Sequence, residues 1–202
     1  DFPLLGGDQA VRDPRRLVYA IQRKLGEEGD YFTGNQASVF DKMMSDTALT
    51  SSFGRLLDAV SCTLDVCCTR TYEGEPAMKL ERLLFEGDMQ KNYDIPLRGS
   101  EIKTLEGFLD MQEEEMGRED KAVSYVFSVA ESIAEAAIRA AEEKGIDKIG
   151  ISGGVSYNRP IVDTIREYLK ERGYELIVHE KVPNGDMGVP VGQAYIASSR
   201  II

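Results

Sequence analysis

Apolar residues fall at steps of three and four through the first part of the chain, the spacing of helix faces. Asp13-Pro14 starts a helix in which Leu17, Ile21 and Leu25 form one stripe with Val18 beside them, and Gly26 ends it. Val39, Phe40 and Met43 predict a short helix over 36–44. Ser51 or Ser52 caps a third helix, which carries Phe53, Leu56, Leu57, Val60 and Leu64. A fourth runs from Pro76 to Phe85, with Met78, Leu80, Leu83 and Leu84 apolar. Residues 87–103 read as irregular, with a short strand over 93–97, and Gln112 to Glu115 read as a solvated helix face. The longest helical pattern covers 120–144 and stops at Gly145.

After Gly145 the pattern changes. Asp147 to Ser152 reads as a strand ending in Gly153-Gly154, followed by a helix through Ile161, Ile165 and Leu169 to Gly173. Residues 174–179 form a second strand, Lys181 to Gly188 a loop, and a last helix carries Val191, Ala194, Tyr195 and Ile196. Strand, helix, strand and helix in this order make a βαβ unit with parallel strands. The expected division is a mostly helical part over 1–145 and an α/β unit over 146–202.

Composition narrows the function classes. The 202 residues carry 24 Lys plus Arg against 35 Asp plus Glu, a net charge of −11, with no basic cluster to meet a phosphate backbone. Nucleic acid is therefore not an expected partner. Three cysteines without a CxxC pair are too few for a disulfide framework and point to reducing cytoplasm. No apolar run approaches the roughly 20 residues of a membrane span, and the amino terminus does not read as a secretory leader. With a single histidine, His179, a His-based metal site within this chain is excluded. The chain begins at Asp1 and reads as part of something longer.

Three segments could carry chemistry. In Ser152-Gly153-Gly154-Val155-Ser156-Tyr157-Asn158, two glycines at a strand's carboxyl end let the backbone approach a ligand, and the helix that follows can receive a phosphate. The alternative is an ordinary turn capped by Asn158. In Val182-Pro183-Asn184-Gly185-Asp186-Met187-Gly188, Asp186 could ligate a metal or cap the last helix. In Tyr72-Glu73-Gly74-Glu75-Pro76, the carboxylates could hold a ribose or serve as acidic residues at a helix start. Cys62, Cys67 and Cys68 lack a neighbouring histidine to act as base, so nucleophilic catalysis is not expected of them.

Taken together, several segments resemble one family. They are Pro3-Leu4-Leu5-Gly6-Gly7-Asp8 with Arg12-Asp13-Pro14, Ser51-Ser52-Phe53-Gly54-Arg55-Leu56-Leu57-Asp58-Ala59-Val60, Tyr72 to Glu81, Gly153-Gly154-Val155 with Asn158, and Asn184-Gly185-Asp186-Met187-Gly188 with Gly192-Gln193. The order is similar to the C-terminal half of the hydrogenase-maturation carbamoyltransferases, the HypF family, which are related to the tRNA threonylcarbamoyl transferase. The resemblance implies the second lobe of an actin-like ATPase and sugar kinase (ribonuclease H-like) α/β fold, with a largely helical N-terminal part.

It also implies an activity: transfer of a carbamoyl group from carbamoyl-adenylate, made with ATP, to the C-terminal cysteine of a HypE-like acceptor protein. On this resemblance Gly153 and Gly154 would face the adenylate phosphate and Asn158 would contact the nucleotide. Asp58 and Glu75 would hold the ribose side with Glu73 nearby, and Asp186 would bind a divalent metal, iron or zinc, shared with histidines of the missing N-terminal lobe. Glu75 stands where the family often carries glutamine, and its charge repels a phosphate unless a cation intervenes. The chain alone is expected to show little or no catalysis. The rival expectations are a threonylcarbamoyl transferase-like enzyme acting on tRNA and a non-catalytic nucleotide-binding regulatory module.

Overall fold

The computed structural model describes residues 1–29 and 31–199. They fall into two compact units. The first holds Asp1–Ile95 and Lys103–Ser128, the second Pro96–Ile102 and the chain from Val129 onward.

The first unit begins with β1 (Phe2–Pro3), antiparallel to β2 (Leu49–Thr50) with Phe2 opposite Thr50. Two-residue strands have no alternation to read, so the sequence pattern gave no sign of them. Gly6 and Gly7 follow at φ 82° and 58° and turn the chain into a short helix, α1 (Asp8–Arg12). In α2 (Arg15–Lys24), Pro14 takes the N-cap place, and Asp13 instead pairs with Arg15 at 2.7 Å. Leu17, Val18, Tyr19, Ala20 and Ile21 of α2 are all buried, so this helix is covered on more than one face. α3 (Gly34–Met43) brings Phe40 to Tyr19 and Phe32, with ring centroids 4.8 to 5.9 Å apart and tilted or edge-on, the favoured aromatic geometry.

α4 (Phe53–Thr63) packs on α2 and on α5 (Glu75–Glu86). The contact buries Leu56, Leu57 and Val60 of α4 and Leu80, Leu83 and Leu84 of α5, each burial worth about 1.5–3 kcal/mol. Cys62, in the last turn of α4, forms a disulfide with Cys68 in the loop that follows, with Cα atoms 4.5 Å apart. This departs from the reading of three reduced thiols. The pairing depends on the chain reversing at Asp65, a non-glycine residue at φ 53°, which spacing alone does not reveal. Cys67 stays free and buried.

α6 (Glu106–Glu113) and the first turns of α7 (Arg118–Glu142) complete this unit. The expected strand over 93–97 starts only at Leu97, after Pro96, which has no N–H for a ladder, and residues 88–93 ahead of it give backbone donors to side chains of α7. Asp88 N–H donates to Asp120 Oδ1 at 2.9 Å, Gln90 and Lys91 N–H to Ser124 Oγ at 3.1 and 3.2 Å, and Tyr93 N–H to Ser128 Oγ at 2.9 Å. Asp120, Ser124 and Ser128 lie four apart and so share one helix face.

The second unit has the hairpin β3 (Leu97–Arg98) and β4 (Glu101–Ile102), and the later turns of α7 with Ala130, Ala134, Ile138 and Ala141 buried. β5 (Lys148–Gly150) and β6 (Glu175–Ile177) are parallel, Lys148 opposite Glu175, and are joined through α8 (Arg159–Glu171), the expected βαβ unit. α8 buries Ile161, Val162, Ile165 and Leu169 and packs on β6. α9 (Gly188–Ser199) follows with none of its residues buried.

Ser124→Ala should cost about 1–3 kcal/mol, because it strands two backbone donors at once. Chemical denaturation measures this, and an unchanged midpoint would mean that the strap does not depend on Ser124.

Candidate functional site

The first unit holds the acidic candidates. Ser52 Oγ caps α4 by accepting from the Arg55 N–H at 3.4 Å. One turn on, Asp58 is fully buried, with Arg55 Nη1 3.0 Å from its Oδ2. Neither carboxylate oxygen has a well-aligned hydrogen bond. The Ala77 N–H near the start of α5 lies close enough to favour the charged form without aligning on it. Burial pushes the Asp58 carboxyl up to about 6, while Arg55, Arg70 and the Ala77 amide pull the other way.

Gly74 takes the left-handed conformation, φ 76°, that turns the chain into α5. Glu75 is then fully engaged. Its Oε1 pairs with Lys79 Nζ at 2.8 Å, and its Oε2 accepts from the Thr71 N–H at 2.6 Å and the Thr71 hydroxyl at 2.8 Å. Lys79 first, then Thr71, holds the Glu75 carboxyl down to about 2. Lys79 is thus the cation that offsets the charge of an acid at this position. Glu73 has a side chain 89% exposed, with Arg70 Nη2 3.8 Å away.

The structure therefore gathers Asp58, Arg55 and the Glu75 end of α5, and leaves Glu73 in solvent. Lys79 was legible as the i+4 partner of Glu75. Arg70 and Thr71 were not, because they reach these carboxylates through a loop with no periodic pattern.

The second unit holds the glycine turn. Gly153 has φ 100° and ψ 172°, a conformation that side chains resist, and its N–H donates to the Asn184 carbonyl at 2.7 Å. That amide is occupied. Gly154 begins a 3-10 turn (Gly154–Tyr157), and a Cβ there would meet nothing within 4 Å. As the first residues of a helical turn, Gly154 and Val155 have N–H groups with no preceding turn to accept them. Asn158 is buried and caps α8, its Oδ1 accepting from the Ile161 N–H at 3.2 Å.

The second loop laces onto the first. The Asn184 carbonyl also accepts from Ser152 Oγ at 3.1 Å, Asn184 Nδ2 donates to the Ser156 carbonyl at 3.4 Å, and the Gly185 N–H donates to the Tyr157 hydroxyl at 3.1 Å. His179 Nε2 lies 3.3 Å from Ser152 Oγ. Asp186 is exposed at the entry to α9, where its carbonyl accepts from the Val189 N–H at 3.0 Å. Among the described residues no three His, Cys, Asp or Glu side chains are grouped to hold a metal. Asp186 itself offers one carboxylate to a cation.

Residues 1–193 match the family model described as carbamoyltransferase, Kae1-like domain, second subdomain, of the HypF C-terminal region. The chain belongs to the HypF carbamoyltransferase family. It is 34% identical over 210 residues to the probable carbamoyltransferase HypF of Methanocaldococcus jannaschii, an alignment covering 95% of this chain and 27% of that protein. It is 29% identical over 174 residues to the tRNA N6-adenosine threonylcarbamoyltransferase of Clostridium botulinum, covering 84% of this chain and 46% of that one.

Among solved structures, HypF of T. kodakarensis matches with a TM-score of 0.85 and 32% identity over 97% of this chain and 28% of that chain. A full-length HypF in the phosphate- and nucleotide-bound form matches with a TM-score of 0.79 at 24% identity, over 100% of this chain and 28% of that chain, a likeness of fold. The fold is the expected α/β second lobe of the actin-like, ribonuclease H-like kind. The chain spans about a quarter of the length of these HypF relatives. No described helix is long and apolar enough to cross a membrane.

The two carboxyls of the first unit have opposite linkage. Folded Asp58 keeps its proton to about pH 6, so stability falls as pH rises from its unfolded value through 6. Folded Glu75 stays charged to about pH 2, so its contribution is present above its unfolded value and lost as pH falls toward 2. Asp58→Asn should therefore stabilise the chain at pH 8 by about 1–3 kcal/mol, with the gain gone by pH 4. Denaturant melts at both pH values check this, and equal effects at pH 4 and pH 8 would contradict it.

Proposed function

We propose that this chain supplies nucleotide recognition to a carbamoyltransferase that moves a carbamoyl group from carbamoyl-adenylate to the C-terminal cysteine of a HypE-like acceptor in [NiFe]-hydrogenase maturation. The observation that carries the reading is the family match over residues 1–193. The nucleotide- and phosphate-bound state of a HypF with the same fold supports it further. In the transfer, the acceptor thiolate forms a bond to the carbamoyl carbon, the bond from that carbon to the phosphate oxygen breaks, and AMP leaves with the electron pair.

Each unit has a separate part. In the first, Asp58, Glu73 and Glu75 are the ribose-side acids, and Asp58, which has no exposed surface, meets a ribose hydroxyl only when the α4–α5 contact opens. Glu75 already has both oxygens engaged, so its share is to fix the turn that Asp58 faces. In the second, the open N–H groups of Gly154 and Val155 meet a phosphate oxygen, Gly153 sets the turn, and Asn158 aligns α8 behind it. Asp186 is one ligand of a divalent metal, iron or zinc, whose histidine ligands lie outside this chain. Bound there, such a metal would supply Lewis acidity. The chain by itself is then inactive in carbamoyl transfer, and the N-terminal lobe and domains of the whole enzyme are its partners. Neither nucleic acid nor membrane belongs to this reading. A cytoplasmic place does, and the Cys62–Cys68 bridge is the feature that stands against it.

A second reading, threonylcarbamoyl transfer to tRNA, is favoured by the 29% identity to the threonylcarbamoyltransferase. The net charge of −11 opposes it.

Gly154→Ala separates ligand contact from folding, because its added Cβ meets no protein atom. Calorimetric titration with AMP and a carbamoyl-adenylate analogue should show saturable binding, weakened about tenfold by Gly154→Ala at an unchanged Tm. No binding to the wild type would overturn the nucleotide reading, and tight tRNA binding at physiological salt would favour the second one.

A further inference from the structure

α4 stops in a Schellman turn. The Val66 N–H donates back to the Ser61 carbonyl at 2.9 Å, and the Asp65 N–H to the Cys62 carbonyl at 3.1 Å. These are the paired bonds that satisfy a helix's last carbonyls. The motif needs a left-handed residue at its turning point, and glycine is the usual one. Here Asp65 stands there, at φ 53°. A side chain in that conformation works against the turn, so the end of α4 needs a further hold.

The Cys62–Cys68 bridge lies across this turn, tying the last turn of α4 to the far side of the reversal. The chain beyond depends on the course set there. The Arg70 N–H donates to the Arg12 carbonyl at 2.9 Å, and Thr71 bonds Glu75 at the start of α5. As a permanent staple the bridge is poorly placed. Its cysteines are only six residues apart, and the entropy that a bridge removes from an unfolded chain grows with the loop it closes.

The cysteines also differ in access. Cys62 has no exposed surface, whereas Cys68 keeps part of its surface in solvent. Cys67 is buried and unbridged, its Sγ donating to the Thr69 carbonyl at 3.2 Å with Lys79 Nζ 3.9 Å away. A thiol arriving from solvent therefore meets Cys68 first.

We propose that Cys62 and Cys68 form a reversible redox latch on the α4–α5 connection, which holds the Asp65 turn when oxidised and releases residues 64–71 when reduced. The reductant is a small thiol of the glutathione class. One thiolate attacks Cys68 Sγ, the bond between Cys62 and Cys68 breaks, and Cys62 leaves with the electron pair and takes a proton. A second thiolate attacks the outer sulfur of the mixed disulfide and frees Cys68. Two small thiols thereby become one disulfide, and the bridge gains two electrons and two protons. A bridge of this kind suits a reducing compartment, where the disulfides that occur serve redox sensing or catalysis. The latch does not rest on the nucleotide reading, and its readouts need no ligand.

The first test equilibrates the chain in glutathione buffers from oxidised to reduced, quenches with acid, and counts thiols by mass after alkylation of the denatured protein. Oxidised protein should carry one alkyl group, on Cys67, and reduced protein three. One group throughout would make the bridge a staple and overturn the proposal, and three groups throughout would overturn it as well.

The second test uses native-state alkylation of Cys67 to report the turn. It compares the oxidised wild type with Cys62→Ser/Cys68→Ser, whose one thiol is Cys67. Loss of the bridge should speed the reaction about tenfold by easing local opening. Adding Asp65→Gly should return the rate to within about threefold of wild type, because glycine takes the left-handed turn without strain. Equal rates with and without the bridge would overturn the latch, as would a fast rate that Asp65→Gly leaves unchanged. If the double variant does not fold, hydrogen exchange in wild type with and without dithiothreitol makes the same comparison. Faster exchange over residues 64–71 on reduction is expected, and unchanged exchange there would overturn the latch.

Discussion

A carboxylate with no exposed surface must be answered by charge or dipole, and in the first unit that demand falls on Asp58. α4 carries Asp58 into its contact with α5, so the packing that buries Leu57 and Leu80 also buries the acid. The answer comes from three directions: Arg55 on the same helix, Arg70 from the loop, and the Ala77 amide at the opening of α5. None makes an aligned bond, and the carboxyl titrates near 6. An acid kept half-compensated weakens the fold where it sits, and with no accessible oxygen it meets a ligand only if α4 and α5 part. Glu75, a few residues away, shows the contrast. Thr71 and Lys79 satisfy it, and it titrates near 2.

The glycine turn of the second unit divides in the same manner. Gly153 is required by its backbone angle, and its amide is consumed by Asn184. Gly154 has neither constraint, and open space surrounds the position of its missing side chain. Adjacent glycines thus have different reasons to be glycine, one conformational and one left for a ligand to explain. Asn158 follows the structural side of this division, since its carbonyl oxygen caps α8.

Much of this was legible in the sequence where a local rule governed the outcome. The helix faces of α4, α5, α7 and α8 and the parallel βαβ unit follow from spacing and glycine stops. The Ser52 cap and the Glu75–Lys79 pair follow from short-range helix rules. What escaped reading depends on chain reversals. The Cys62–Cys68 bridge forms because the chain turns at Asp65, and the 88–93 strap forms because Asp120, Ser124 and Ser128 accept its backbone donors. The exposure of Glu73 and the engagement of Glu75 were equally hidden. Two acids flanking one glycine look alike until Gly74 sends one into solvent and the other into the helix start.

The central claim is that Asp58 is a buried, incompletely compensated acid on the ribose side of the proposed nucleotide site in a HypF-family second subdomain. Its carboxyl carbon, assigned and followed by NMR against pH with and without AMP, tests this most directly. The account predicts titration near pH 6 in the free chain and a clear downward displacement with AMP bound, since hydroxyl donors favour the anion. Titration near the ordinary aspartate value, unmoved by saturating AMP, would contradict it.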